Sequence, residues 1–219
     1  VTRGSTYSAE LLTGIGLSGA AAGWAVDITA SRFELLKDRA RQSDAVNIDT
    51  GVIPSSGIVT DDDAHWTSLE ASAERRLDAH RITLGTSFMG YSGASRTGTV
   101  TNWRGDVPGT VRNASGGKTQ LAGLFAEDAI TLAPMVEATL GLRYERWRAQ
   151  SGFLQNGGTS VAYPSRSEDA FSPKAALTVR PDAATEIIAS AAWATRFPTI
   201  GELYQAGLIS YGPNVGTID

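Results

Sequence analysis

The chain has 219 residues with 19 Lys+Arg against 23 Asp+Glu, a net charge of −4 and no basic run, so nucleic acid is not an expected partner. Cysteine is absent, which excludes disulfides, thiolate metal sites and cysteine nucleophiles together. Uninterrupted apolar stretches such as Ala20-Ala21-Ala22 are far short of the roughly 20 residues a transmembrane helix needs, yet transmembrane strands of about 9–11 residues, apolar at every second position, are compatible with a mean hydropathy of −0.12.

Val1-Thr2-Arg3-Gly4 opens no basic segment followed by an apolar one, so no signal peptide is expected here, and a secreted protein would have its start elsewhere. Alternation with period two then dominates and recurs in about eight stretches. The first sets Tyr7, Ala9, Leu11, Thr13, Ile15 and Leu17 on one face, and a short turn follows at 19–23. The second sets Trp24, Val26, Ile28 and Ala30 against Asp27, Thr29 and Ser31. The third opposes Leu69, Ala71, Ala73 and Leu77 to Glu70, Ser72, Glu74 and Arg76, and after a tight turn near Asp78-Ala79 the fourth opposes Ile82, Leu84 and Phe88 to Arg81, Thr83 and Ser87.

The fifth, about 118–132, is the least decisive because Glu127-Asp128 interrupts both faces. The sixth sets Val136, Ala138, Leu140, Leu142 and Tyr144 against Glu137, Thr139, Arg143 and Glu145. The seventh sets Phe171, Pro173, Ala175, Leu177 and Val179 against Ser172, Lys174, Thr178 and Arg180; the eighth sets Ile187, Ala189, Ala191 and Trp193 against Glu186, Ser190 and Arg196. Connections alternate between short ones (19–23, near 78, 133–135, 181–184) and long ones, expected at about 38–63, 93–117 and 151–168. Outer-membrane barrels have this asymmetry, with short periplasmic turns and long extracellular loops.

The fold class expected is therefore all-β, an antiparallel transmembrane β-barrel wall. Its apolar face would meet lipid. Glu70, Glu74, Arg76, Glu137, Arg143, Glu145, Lys174, Arg180, Glu186 and Arg196 would face the lumen or a plug, since so many charges of both signs do not suit a dry core. The plain alternative is the solvent face of an ordinary antiparallel sheet. Tyr7, Trp24, Trp66, Tyr91, Tyr144, Trp147 and Trp193 are expected in interfacial aromatic girdles.

Three ordered segments resemble TonB-dependent receptors: Leu124-Phe125-Ala126-Glu127-Asp128 leading to Leu140-Gly141-Leu142-Arg143-Tyr144-Glu145; Phe171-Ser172-Pro173-Lys174; and Arg196-Phe197-Pro198-Thr199 running to Glu202-Leu203-Tyr204. The last departs from the family pattern by placing Arg196 before Phe197. The resemblance implies a 22-stranded barrel around a plug. Residues 1–219 would then be part of the barrel domain, with the plug domain and C-terminal strands absent from it. It also implies residence in the outer membrane of a Gram-negative cell, contact with outer-membrane lipid and with the plug of the same parent chain, and coupling to the TonB complex through that chain's N-terminal region. The cargo would be a scarce nutrient of the siderophore, haem or cobalamin class.

No cofactor, metal site or enzymatic activity is expected. His65 and His80 fall near opposite ends of the third stretch, too far apart to share an ion. Asp61-Asp62-Asp63 reads as a solvated loop run before it reads as a calcium site. No nucleophile elbow or phosphate loop is present. Candidates for ligand contact from loops over a rigid scaffold are Trp103, Arg104, Asp106 and Tyr204, with packing of its own loop the more ordinary role for each. Two other functions stay open: a self-contained eight-stranded barrel that anchors or adheres, and a soluble β-sheet binding module.

Overall fold

The computed structural model describes residues 3–47, 49–105 and 109–204. Nine strands and one short helix follow in chain order: β1 (Gly4–Ala21), β2 (Trp24–Ser43), β3 (Gly57–Leu77), β4 (His80–Val100), β5 (Thr110–Ala133), β6 (Val136–Asn156), β7 (Thr159–Tyr163), β8 (Arg166–Asp182), β9 (Thr185–Ala192) and α1 (Ile200–Tyr204). All pairings are antiparallel, giving one sheet ordered β1-β2-β3-β4-β5-β6-β8-β9, with β7 beside the upper part of β6. β7 and β8 are one line interrupted at Pro164-Ser165. Gly152 pairs with Tyr163 and Ala149 with Arg166, so the register runs unbroken across the gap. Proline has no N–H to give to a ladder. Counted this way the wall has eight strands. No ladder joins β1 to β9 among the described residues, and the sheet is open.

Local chemistry sets the short connections. Between β1 and β2, Ala22 and Gly23 both take positive φ (51° and 80°), the combination a two-residue primed turn requires. Asp78 does the same between β3 and β4 with φ 50°. Between β8 and β9, the Ala184 amide donates to Asp182 Oδ1 at 2.8 Å and the Thr185 hydroxyl to Oδ2 at 3.1 Å, so that carboxylate closes the turn. Those bonds, the Ala184 amide first, hold the Asp182 carboxyl below its ordinary range.

At the other end the structure corrects the sequence expectation. Most of the expected long loops are strand: β2 continues to Ser43, β3 begins at Gly57, β4 runs to Val100 and β5 begins at Thr110. Period-two alternation fades there because neither face is required to be apolar. A strand of 21 residues such as β3 reaches about 70 Å, where a membrane needs only about 9–11 residues. The longest strands are therefore about twice as long as a bilayer crossing requires. Asp61, Asp62 and Asp63 accordingly lie in β3, not in a loop. Arg39 of β2 grips Asp61, with Nη2 donating to Oδ2 at 3.0 Å.

Residues directly opposed in an antiparallel ladder share a face, and successive residues alternate. One row runs Leu17–Ile28–Ala71–Thr86–Leu124–Tyr144–Phe171, and the row beside it runs Asp27–Ser72–Gly85–Phe125–Arg143–Ser172. The first face carries large apolar groups in the open: Ile15 is 73% exposed, Leu124 61% and Phe171 61%. A soluble sheet would have to cover this. Among the described residues, the apolar cluster of buried side chains is small and lies at the long-loop end, where Val59, Val100 and Trp103 meet.

Candidate functional site

The second face is charged. The ladders put Glu70, Glu74, Arg76, Glu137, Arg143, Glu145 and Lys174 together on it. All but Glu70 have a charged partner among the described residues. Lys174 pairs with Glu127, Arg81 reaches Glu137 at 4.0 Å, and Arg76 reaches Glu74 at 3.9 Å. Arg143 lies 2.9 Å from Glu145 through Nε and donates from Nη2 to the Ser87 hydroxyl at 2.9 Å. Glu145 is 8% exposed, so this pairing has to offset its desolvation. Arg180 and Glu186 bond across the β8–β9 turn at 2.6 Å. Such ion pairs are chiefly a way of holding charge on a wet surface, each contributing about 0–1 kcal/mol where exposed.

Three aromatics depart from the expected girdles. Trp66, Tyr91 and Trp147 lie mid-strand on the charged face, in rows with Phe33, Thr119, Met89 and Leu121. Trp66 stacks on Phe33 with ring centroids 6.1 Å apart. Tyr144 and Phe171 do lie on the apolar face, 5.1 Å apart. Aromatic content alone could not separate the two sets; the parity of each residue against its neighbours carries that signal.

The chain beyond β9 folds over the charged face. The β8–β9 ladder closes with the pair Lys174–Ala192, and the Trp193 amide donates a last bond to the Pro173 carbonyl at 3.0 Å. Pro173 has no N–H to return it, and the chain leaves the sheet. Phe197 then stacks on Trp147 at 5.9 Å with the rings 2° from parallel. Ile200 and Tyr204, at 5% and 3% exposure, are among the best buried apolar side chains. Tyr204 rests on two glycines: a methyl on Gly117 would lie 2.6 Å from its Cε2, and one on Gly152 would collide with the ring. Beneath it β6 bulges, Ser151 and Gly152 together opposing Gly117, with Ser151 at φ 56°.

α1 is a capping box that the sequence spells as Thr199-Ile200-Gly201-Glu202 and that our sequence reading did not identify. The Thr199 amide donates to Glu202 Oε2 at 2.8 Å, and the Glu202 amide donates to the Thr199 hydroxyl at 3.4 Å. Arg196 bonds the same carboxylate. The Arg196 side chain first, then the Thr199 amide and hydroxyl, hold the Glu202 carboxyl down to about 2. Because this folded-state value lies below the ordinary 4.5, the stabilisation is present above pH ~4.5 and is lost as the pH falls toward 2. Amide protection over 196–204, corrected for intrinsic exchange, should fall across that window. Glu202→Gln should remove the pH dependence; a Gln variant that keeps it would refute the assignment to this carboxyl.

Between this segment and β2–β6 lies a cleft of about 1140 Å³ whose walls include Asp62, Trp66, Tyr91, Glu145, Trp147 and Phe197. Its chemistry is stacking and carboxylate pairing, suited to holding a small molecule. Among the described residues no group of three or more His, Asp or Glu could hold a metal ion. His80 is engaged by Asp128, Nδ1 to Oδ2 at 2.7 Å, on the apolar face beside the short turns, while His65 lies in β3.

The residues expected to contact a ligand from loops are dispersed. Trp103 is 8% exposed, its indole N–H donating to the Pro54 carbonyl at 3.1 Å, so it braces the loops. Arg104 lies over the Trp103 ring at 4.5 Å and is exposed. Asp106 lies outside the described residues. Tyr204 is buried against Gly117, Gly152 and Tyr163, the two tyrosine rings 5.2 Å apart. Arg196 is mostly exposed beyond β9 and pairs with Glu202.

No curated protein matches the sequence. Solved structures that share its fold include two receptors. The alcaligin outer membrane receptor FauA from Bordetella pertussis is 16% identical with a TM-score of 0.52, over 83% of this chain and 27% of that one. The siderophore receptor PiuA from Acinetobacter baumannii is 12% identical with a TM-score of 0.53, over 82% of this chain and 31% of that one. The chain thus spans under a third of the length of either receptor. The family model for the TonB dependent receptor-like β-barrel matches residues 3–218, nearly the whole sequence, and with an open antiparallel wall of matching fold this chain belongs to that family.

Proposed function

We propose that the chain is part of the barrel wall of a TonB-dependent outer-membrane receptor that imports a scarce nutrient such as a ferric siderophore, and that it is not an enzyme. The observation that carries this reading is the two-faced open sheet. Its apolar face is exposed over the length a bilayer would cover, and its charged face lines a cleft roofed by the chain beyond β9. In this reading the charged residues face the lumen and the plug. The rest of the parent chain supplies the plug, the remaining strands and the segment that meets the TonB complex. Support for an iron-chelate cargo is the naming of PiuA as a siderophore receptor, beside FauA, which is named an alcaligin receptor; haem and cobalamin are the other cargo classes.

A self-contained eight-stranded barrel would need β1 to pair with β9, and a soluble module would need its apolar face covered; neither feature is present among the described residues. The test is uptake by cells lacking the parent gene. Labelled ferric siderophore, haem and cobalamin should be offered singly, with and without the full-length gene restored and in a strain without TonB. One of the three should require both the gene and TonB. Uptake of all three unchanged by the deletion would sink the proposal.

A further inference from the structure

We propose that the outward face of β5 and β6 holds the phosphorylated headgroup of an outer-leaflet lipid through Lys118, Arg146 and Arg148. The site rests on the outer-membrane reading but adds a partner that nutrient import does not require. Three observations converge on it.

The first is register. Ala122 opposes Arg146, Gln120 opposes Arg148 and Lys118 opposes Gln150, so all three cations share the face of Leu124 and Tyr144. Arg146 and Arg148 are two apart on one strand, about 6–7 Å, and Lys118 is the diagonal neighbour of Arg148 at a similar separation. All three side chains are exposed. The second is height. Counting from Val136 at the short-turn end of β6, about 9–11 residues cross a bilayer, which places the far interface at Tyr144 to Arg146. Below that level the outward positions of β6 are Val136, Ala138, Leu140 and Leu142; at it the charges begin. Long cationic side chains there keep their stems along apolar surface and their heads among headgroups.

The third is countercharge. Asp169 lies 3.9 Å from Arg146 and is itself bonded by the Tyr144 hydroxyl at 2.8 Å. It is the one carboxylate among the described residues that reaches the cluster, and it is shared with Tyr144. Lys118 and Arg148 have no anionic partner among the described residues. At the corresponding level β3 presents Thr67 and His65, and β4 presents Gly90 and Ser92. On β2, Arg32 shares this row through Thr67 but is paired with Glu34 at 3.5 Å, so the cations at this level without a carboxylate partner among the described residues, Lys118 and Arg148, lie on β5 and β6. Three cations on adjacent positions repel one another, and a multiply charged phosphate neutralises them with bidentate guanidinium bonds. A free phosphate would supply no acyl chains for the apolar surface directly beneath. The occupant assigned is the membrane lipid.

The test uses the full-length protein, purified in detergent, with diphosphorylated lipid A as probe. Wild type should retain lipid A, and dephosphorylated lipid A much less. In a K118Q/R146Q/R148Q variant retention should fall on the order of tenfold or more, since each Lys or Arg near an anionic lipid surface contributes severalfold. Asp169→Asn should change it in the opposite direction. Heat-modifiable mobility of each variant reports whether the barrel is folded; should the triple variant not fold, the single Arg148→Gln is expected to lose part of the retention. Equal retention by wild type and folded variant, or of lipid A with and without phosphates, would overturn the site, as would displacement by inorganic phosphate at equimolar concentration. Absence of nutrient uptake would count against the receptor reading and leave this lipid measurement standing.

Discussion

Leu142→Arg should destabilise the full-length protein by about 2–4 kcal/mol when it is folded into lipid vesicles, the cost of a cation on the lipid face at mid-bilayer. Leu142 lies six positions above the start of β6 at Val136, and a crossing of about 9–11 residues puts the midplane near Leu140–Leu142. It is 50% exposed, with Ala126 and Pro173 opposite it on the neighbouring strands. In a water-soluble sheet so exposed a position would tolerate arginine within about 0.5 kcal/mol. The two environments thus differ by several kcal/mol for one substitution. Thr139→Arg, on the charged face of the same strand, is the control and should cost much less. Urea titration of folded protein in vesicles reads both. Equal and small effects at the two positions would remove the lipid from the argument.

Gly152→Ala should undock the segment that roofs the cleft. A methyl group there enters the volume of the Tyr204 ring, and adding carbon to a filled site costs about 1–3 kcal/mol. The strain falls on the weaker partner. β6 is held by ladders on both sides, while α1 is held by its cap, the Phe197–Trp147 stack and the Tyr204 socket. Amide protection over 196–204 should therefore drop while that of β5 and β6 persists. The Tyr204→Ala change should cost less in the Gly152→Ala background than alone, a coupling that a double-mutant cycle measures directly. Protection of 196–204 that survives Gly152→Ala would mean the ring is not held by that socket. The Tyr204 hydroxyl has no hydrogen-bond partner among the described residues, so Tyr204→Phe should be neutral or slightly stabilising.

Much of this wall was legible from residue order alone. Period-two alternation locates strands wherever one face must be apolar, so the eight stretches and the short turns near 22, 78, 134 and 183 were recoverable. The face of each charged residue followed from the same parity: Glu70, Glu145 and Lys174 could be grouped without coordinates because an even separation keeps a residue on its side of the strand. Even the ambiguity at Glu127-Asp128 has a local cause. Glu127 pairs with Lys174 on the charged face and Asp128 with His80 on the apolar one, so both faces really do carry a carboxylate there.

The tertiary structure decided what parity does not encode. At the long-loop end neither face is apolar throughout, so the upper halves of β2 to β6 lose their alternation and read as loops, although backbone pairing continues. Trp66, Tyr91 and Trp147 were assigned to girdles by residue type, and only the ladder register moved them to the charged face. The roof over the cleft depends on contacts between residues far apart in sequence, Phe197 on Trp147 and Tyr204 on Gly117 and Gly152. Sequence by itself determined a two-faced antiparallel wall, because alternation is a property of each strand. The cleft and the docking of the last segment are properties of several strands at once, and only their packing fixes them.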